Sequence, residues 1–333
     1  MVKRNLILIL TIFLILGTVA TASDLIIDSK IQSYNEKENK INFKDNVKVT
    51  LDDVNIHSDK ADITLTKDNK LDTATFYDKP YAYQVQNNKK QEVKANILKM
   101  SLITKVIKAE GDAQTIISDG KTPLAVITAD TQIYDTKTNV MTALGGVIIK
   151  YQDLDTFSDK AVIKTNNKGD LKKIDLYGHA KIKEKVHNAT ADHFMYDTVK
   201  EEIFAEGNTM SHTEMEDGKP LTIKARFQQY TKKDNVFTSG GNVQVWFDDY
   251  YAKGPKLSVF PDKKTNQFNE IYFSGRSMIN QNDKTIYADK IKMILKPKDF
   301  VAEGNTRTVI KNIKSLSVTE DNSKKQNEED EEE

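Results

Sequence analysis

The amino-acid sequence predicts an all-β fold, an elongated and solenoid-like stack of about nine strand-turn-strand units. Three observations lead to this prediction. A unit of about 33 residues recurs along the chain, apolar residues within it alternate with polar ones, and turn-forming residues separate the alternating segments. The 333 residues contain no cysteine, so stability must come from backbone ladders and packing instead of disulfides.

The recurring unit has Asp, often after Ala or Ser, near its start and Gly near its middle. The distance between them is 15 residues in short units such as Asp192 to Gly207, and 19 to 22 residues in long units such as Lys253 to Gly275. Long units recur at every third position, which predicts three modules of about 95 residues. The predicted starting positions are Asp28, Asp59, Asn96, Asp130, Asp159, Asp192, Arg226, Lys253 and Asp289.

Apolar residues occupy alternate positions in each unit, which is the period of a half-buried strand and not of a helix. Ala61 and Ile63, for example, stand two and four residues after a start, and only Gln132 and Gln228 interrupt this apolar face. One unit cannot bury its own apolar face, so we expect stacked units to share a continuous core. Nine rungs at about 4.8 Å each predict a ladder roughly 40 Å long.

Turn-type sequences lie between the strands, as in Asp135–Asn139 and Lys232–Asn235. The central Gly has the same parity as the apolar positions. We therefore expect it to point inward and to let the strand bend where a side chain would collide with the opposite wall. The starting Asp is expected to form a corner or a turn.

The two ends of the chain differ from the repeat. Residues 1–22 combine a basic start, an apolar run from Leu6 to Ala20 and small residues, which predicts a secretory signal peptide cleaved after Ala22. A retained membrane anchor is the second interpretation of this run. The rest divides into three predicted modules and a disordered acidic tail, at 23–118, 119–216, 217–314 and 315–333.

The composition argues against several function classes. Lysine and arginine number 49, as do aspartate and glutamate, so the basic excess typical of nucleic-acid binders is missing. We found no nucleophile elbow, phosphate loop or zinc motif in the sequence, and we predict no enzyme activity, no cofactor and no metal. The repeated aspartates leave open a calcium ladder or a polysaccharide-active enzyme on a β-solenoid. Arg226 and Lys253 at equivalent positions disfavour the ladder.

Several stretches resemble the OstA-type repeat of the LptA/OstA-like family of periplasmic lipopolysaccharide transport proteins. The resemblance runs from about residue 25 to 310, and nine units in register behind a signal peptide make it more specific than any single motif. The stretches are Ile41–Val49 leading to His57–Ile63, Thr128–Tyr134 with Ala143–Ile149, and Tyr287–Ile291 with Ala302–Asn305.

The resemblance implies an open β-jellyroll of stacked antiparallel strands that shields lipopolysaccharide acyl chains in an apolar trough. It also implies a periplasmic bridge from inner to outer membrane, used in outer membrane biogenesis. The implied partners are lipopolysaccharide or a related glycolipid, other OstA-fold transport components joined edge to edge, and further copies of this chain joined head to tail. The alternatives are an LptC-like membrane-anchored transport component and, third, the polysaccharide-active enzyme.

The candidate residues of the apolar trough are those at the alternating positions. They are Ile63, Leu98, Met100, Tyr134, Val147, Ile149, Ile163, Phe194, Tyr196, Tyr230, Val245, Phe247, Leu257, Ile291 and Met293.

Overall fold

A computed structural model describes residues 25–311, except 52–53, 87–88, 121, 152–153, 167–170, 216–217, 263 and 265–266. This part of the chain forms 22 antiparallel strands in one sheet, so the predicted all-β fold of stacked antiparallel strands is confirmed. No helix in this part is long and apolar enough to cross a membrane. The predicted signal peptide and acidic tail lie outside the described residues.

The strand bounds follow the chain in order. The first eleven strands are β1 (Leu25–Asp28), β2 (Ile31–Asn35), β3 (Lys40–Leu51), β4 (Val54–Leu65), β5 (Leu71–Tyr77), β6 (Tyr81–Gln86), β7 (Lys89–Lys94), β8 (Ile97–Ser101), β9 (Val106–Asp119), β10 (Thr122–Asp135) and β11 (Val140–Tyr151). The remaining strands are β12 (Leu154–Thr165), β13 (Leu171–Glu184), β14 (His187–Asp197), β15 (Glu202–Glu214), β16 (Pro220–Thr231), β17 (Val236–Phe247), β18 (Tyr250–Pro261), β19 (Phe268–Gln281), β20 (Lys284–Ile294), β21 (Asp299–Glu303) and β22 (Arg307–Ile310).

The strands follow one another as a meander of hairpins, β11 pairing with β12 and β12 with β13. Four rungs are each made of two short strands: β1 with β2, β5 with β6, β7 with β8, and β21 with β22. Among the described residues this gives eighteen rungs, two for each unit. The expectation of nine rungs was therefore wrong, because both strands of a unit join the ladder. At about 4.8 Å per rung the ladder is roughly 80 Å long.

Each long rung is folded near its middle, at a point that we call the corner. β11 pairs with β12 up to Leu144 and again from Val147, and between these positions Gly145 and Gly146 have positive φ of 79° and 51°. In β11 the half-strand before this corner, 140–144, belongs to wall A, and the one after it, 147–151, belongs to wall B. The chain reverses direction at each hairpin, so the order of the two walls is the opposite in the neighbouring strands β10 and β12. Hairpin turns connect the half-strands at the ends away from the corners, and these ends form the turn lines of the two walls.

The central glycines bend the chain as predicted, but the reason for their small size differs from the prediction. A Cβ at Gly207, where φ is +77°, would lie 2.8 Å from the Cβ of Asp192, which starts the same unit on the neighbouring strand. The same relation joins Gly178 to Asp159 and Gly304 to Asp289. The glycine thus avoids the adjacent strand of its own wall, and not the opposite wall.

Two predicted starting positions were wrong by two residues. Gly275 faces Pro255, so Pro255 and not Lys253 starts the eighth unit. In the first unit the N–H of Lys30, and not that of Asp28, donates to the corner carbonyl of Asp45 at 3.1 Å. The polar corner residues differ too much between units for a pattern in sequence alone to align them.

The interior lies between the two walls and consists of three clusters of buried apolar residues. They span residues 43–113, 117–205 and 221–295. Each cluster combines side chains from both walls, for example Met141 and Ala143 from wall A with Val147 and Ile149 from wall B. The alternating apolar pattern thus places the inward faces of both walls against each other.

Candidate functional site

All fifteen predicted trough residues lie on the inward faces of the walls. Twelve are buried, and the other three, Met100, Tyr196 and Tyr230, are half-buried. The most deeply buried of them, such as Ile291 and Met293, pack within the apolar clusters. The structure therefore brings these residues into one interior; that they bind a ligand remains a proposal.

The interior is partly exposed at several places along the turn line of wall A. The inward positions nearest to these turns are half-buried in some rungs, at Ile107, Ile174, Tyr196, Ile203 and Tyr230, and buried in others, as at Met141 and Ile271. Partial burial raises the pKa of Tyr196 and Tyr230. Apolar surface is thus accessible along the side of the fold opposite the corners.

Two polar bridges cross the interior, at the two glutamines that interrupt the apolar face in the sequence. Gln132 extends from wall A of β10, where its amide Nε2 donates to the carbonyls of Ala113 at 3.1 Å and Ile127 at 3.0 Å, both on wall B. The hydroxyl of Thr115, also on wall B, donates to its Oε1. Gln132 is only 4% exposed, so the hydrogen bonds of its amide group are made within the protein and not to bulk water.

Gln228 forms the second bridge in the same way. Its Nε2 donates to the carbonyl of Ile223 at 2.9 Å, and the Ser211 hydroxyl donates to its Oε1. These hydrogen bonds again join the two walls. Gln228 lies on wall A, where it pairs with Ser239, and its partners Ile223 and Ser211 lie opposite each other on wall B. The boundaries between the three apolar clusters fall at these two bridges.

A four-residue signature marks the bridge-bearing units and repeats about every 96 to 100 residues. It combines an Ile of wall B, the Gln, a Tyr two residues after the Gln and an Asn that is the last residue of the next turn. The Tyr hydroxyl lies 2.9 to 3.3 Å from the Asn Oδ1 in each copy. The copies are Ile27, Gln32, Tyr34 and Asn39; Ile127, Gln132, Tyr134 and Asn139; and Ile223, Gln228, Tyr230 and Asn235.

The first copy of the signature lies at the N-terminal edge of the sheet, where Gln32 is exposed. The partner hydroxyls of the two complete bridges, Thr115 and Ser211, each stand four residues after a corner Gly. Thr308, on the C-terminal edge strand β22, likewise stands four residues after a corner glycine, Gly304. Within the described residues, the two edge rungs therefore have a Gln and a hydroxyl at the positions that form the bridges elsewhere.

The walls also touch across their turn lines near the C-terminal end. The ammonium of Lys298, in a turn of wall A, pairs with Asp248 at 2.9 Å and with Asp249, both in a turn of wall B. Beside them the rings of Tyr250 and Phe300 meet edge to face with centroids 5.9 Å apart. The flanking lysines lower the pKa of Asp248. This end of the interior is closed laterally.

The starting aspartates form polar contacts at the corners. The carboxylates of Asp192 and Asp289 accept hydrogen bonds from Asn208 and Asn305 at 3.0 and 2.7 Å. Asp159 pairs with His179 at 2.9 Å, which raises the pKa of the histidine. Among the described residues no group of three or more histidines and carboxylates is arranged to hold a metal ion.

Comparison with known proteins places these features in a family. The sequence profile described as "LptA/(LptD N-terminal domain) LPS transport protein" matches residues 26–122 and 126–219, which together exceed half of the chain. No curated protein matches the sequence. A crystal structure of LptH from Pseudomonas aeruginosa, the LptA-homologous periplasmic component of the conserved lipopolysaccharide transport device, aligns with 11% identity and a TM-score of 0.34. The alignment covers 39% of this chain and 95% of that one.

The two profile matches follow each other along the ladder and carry the alternating inward positions of both walls. The chain therefore belongs to the LptA/(LptD N-terminal domain) family of lipopolysaccharide transport proteins.

Proposed function

We propose that this chain is a periplasmic carrier that holds the acyl chains of lipopolysaccharide between its two walls while the sugars stay in water. The observation that carries the proposal is the apolar inward face, which both walls present along the ladder and which is partly exposed at several places on the turn line of wall A. Removing acyl chains from water gives about 0.8 kcal/mol per buried CH₂ group. Binding and shielding need no reacting group, and we propose no enzyme activity.

The path of entry follows from the distribution of exposure. Acyl chains would enter between the turn lines, next to the half-buried Tyr196 and Tyr230, and would displace wall-to-wall contacts deeper inside. The C-terminal end is closed laterally where Lys298 pairs with Asp248, so loading would take place at the rungs that precede this contact. The family assignment supports lipopolysaccharide as the cargo.

Photo-cross-linking tests this proposal with neighbouring residues of one strand. A benzophenone amino acid at Tyr196 or Tyr230, which face inward, is expected to capture lipopolysaccharide. The same group at Met195 or Gln229, the outward neighbours, is expected to capture little, because successive side chains of a strand point to opposite faces. The readout is the lipopolysaccharide-shifted band in gel electrophoresis. Equal capture from both faces would contradict an interior site.

We further propose that copies of this chain join head to tail, β21 and β22 of one copy pairing with β1 and β2 of the next. Within the described residues each of these edge rungs has one neighbouring rung, and Ile31 and Val301 are about half-exposed there. The repeated signature also specifies a register. By analogy with Glu110 opposite Thr131 and Glu206 opposite Phe227, Glu303 would lie opposite Ile31.

Because the chain has no cysteine, an engineered disulfide reports this register directly. The variant with Ile31→Cys and Glu303→Cys is expected to form covalent dimers and longer chains under mild oxidation, since directly opposed residues have Cβ atoms about 4.5–5.5 Å apart. Ile31→Cys with Val301→Cys is the matched control, on the same face but two residues out of register. Equal cross-linking of both pairs in non-reducing gels would refute the proposed register.

A further inference from the structure

The two polar bridges occupy positions that the alternating pattern reserves for apolar side chains. At the position of Gln132 and Gln228, two residues after a unit start, other units have residues such as Ala61, Phe194 and Ile291. A glutamine in an apolar interior weakens hydrophobic packing and must keep all its hydrogen bonds to be tolerated. Its recurrence at equivalent places in two modules therefore requires a reason beyond packing.

The geometry of the bridges provides such a reason, because each glutamine joins the two walls. Gln132 and Ile127 are five residues apart in β10, which would separate them by roughly 16 Å in an extended strand. Their 3.0 Å hydrogen bond exists only because the strand is folded at the corner between them. The bond consequently ties wall A to wall B, and the Thr115 hydroxyl adds a second connection from the neighbouring rung.

The bridges also coincide with the boundaries between the clusters of buried residues; at the first boundary, among the described residues, only the half-buried Ile107, near the turn line of wall A, packs against the clusters on both sides. The cluster of residues 43–113 ends and that of 117–205 begins at Thr115, while Ser211 and Gln228 lie between the second cluster and that of 221–295. Contact with a hydrogen-bonded amide group gives an acyl chain no favourable free energy of binding. To pass between the walls at this point, the chain would also have to break the hydrogen bonds of the bridge. Each bridge is thus a polar barrier within an apolar space.

We propose that the Gln132 and Gln228 bridges are latches that divide the interior into three separate apolar compartments, so that acyl chains occupy one compartment at a time instead of one continuous channel. This inference rests on the proposed lipid-carrying function for the ligand, but the tying of the walls stands on the bridges alone. Transfer from one compartment to the next requires a latch to open.

The tying of the walls is tested without ligand. Spin labels at Thr122→Cys and Thr138→Cys lie at opposite turn lines of the rung that carries Gln132, and labels at Val186→Cys and Val199→Cys lie at those of a rung without a bridge. Gln132→Leu is expected to widen the distance distribution of the first pair, measured by pulsed electron paramagnetic resonance, and to leave the second unchanged. An unchanged first pair would overturn the latch.

Gln132→Leu leaves the Thr115 hydroxyl without its acceptor, so the variant that also carries Thr115→Val serves as a second form in which both partners are apolar. It is expected to widen the first pair in the same way. Gln114→Leu, on the outward face of β9, is the control for the substitution itself.

The division into compartments is tested with pyrene-labelled dodecanoic acid, whose excimer emission requires two probes in contact. At equal bound load, replacing both Gln132 and Gln228 by Leu is expected to raise the ratio of excimer to monomer emission, because probes then share one space. An unchanged ratio overturns the compartments. If no variant retains the probe, the lipid-carrying function fails and the compartments fail with it, whereas the spin-label distances still decide the latch.

Discussion

Replacing Phe273 by alanine is expected to lower the free energy of unfolding by about 3–5 kcal/mol, the cost of truncating a buried aromatic side chain. Phe273 is 2% exposed and lies on wall A of β19 among Leu257, Ile291 and other members of the third cluster. The cavity left behind cannot collapse easily, because the corner and the adjacent rungs hold the backbone. Urea unfolding followed by circular dichroism measures the loss.

The matched variant is Tyr196→Ala, at an inward position near the turn line. Tyr196 is only half-buried, so we expect a smaller loss of about 1–2 kcal/mol together with weaker capture of lipopolysaccharide. The contrast tests our proposal that buried residues near the corners stabilise the fold and that half-buried residues near the turns bind the ligand. Equal stability losses for both variants would contradict this division.

Replacing Gly207 by alanine is expected to destabilise the protein by roughly 2–5 kcal/mol, from two additive causes. Gly207 has a φ of +77°, which costs an alanine about 1–2 kcal/mol. The added methyl group would also collide with Asp192, whose carboxylate accepts a hydrogen bond from Asn208 at 3.0 Å. Urea unfolding again gives the magnitude.

Gly218 is a control with the same backbone conformation. Its φ is also +77°, but the nearest atom to an added Cβ is 3.8 Å away, so Gly218→Ala isolates the cost of the backbone. Adding Asp192→Gly to Gly207→Ala removes the colliding side chain and should recover the difference between the two alanine variants. If both alanine variants are equally unstable, the contact with Asp192 does not matter.

Much of the fold follows from local features of the sequence. Alternation at positions such as Ala61 and Ile63 sufficed to place strands and their inward faces, because the period of two has only one interpretation over many units. The turns and the glycine bends were equally local. The number of rungs could not be predicted from local features. A strand that folds at a corner and a strand that ends there have the same alternation of apolar and polar residues.

The polar features of the interior could not be predicted in this way. Gln132 and Thr115 are 17 residues apart and lie on different walls, so their contact requires knowledge of both the fold at the corner and the register between β9 and β10. The spacing of Gln32, Gln132 and Gln228 was the one signal present in the sequence. Likewise, 49 residues separate Lys298 from Asp249, and only the closure of the walls brings them together.

The meander connectivity has a consequence for how the protein is made. Within the described part of the chain, every rung pairs only with the rungs that precede and follow it, and this includes the split rungs, where β8 pairs with β5 and β9. A polypeptide emerging N-terminus first can therefore add each new strand to a completed neighbour, without waiting for distant segments. Of the described strands, β21 and β22 emerge last, and they form the edge at which we propose that a further copy pairs.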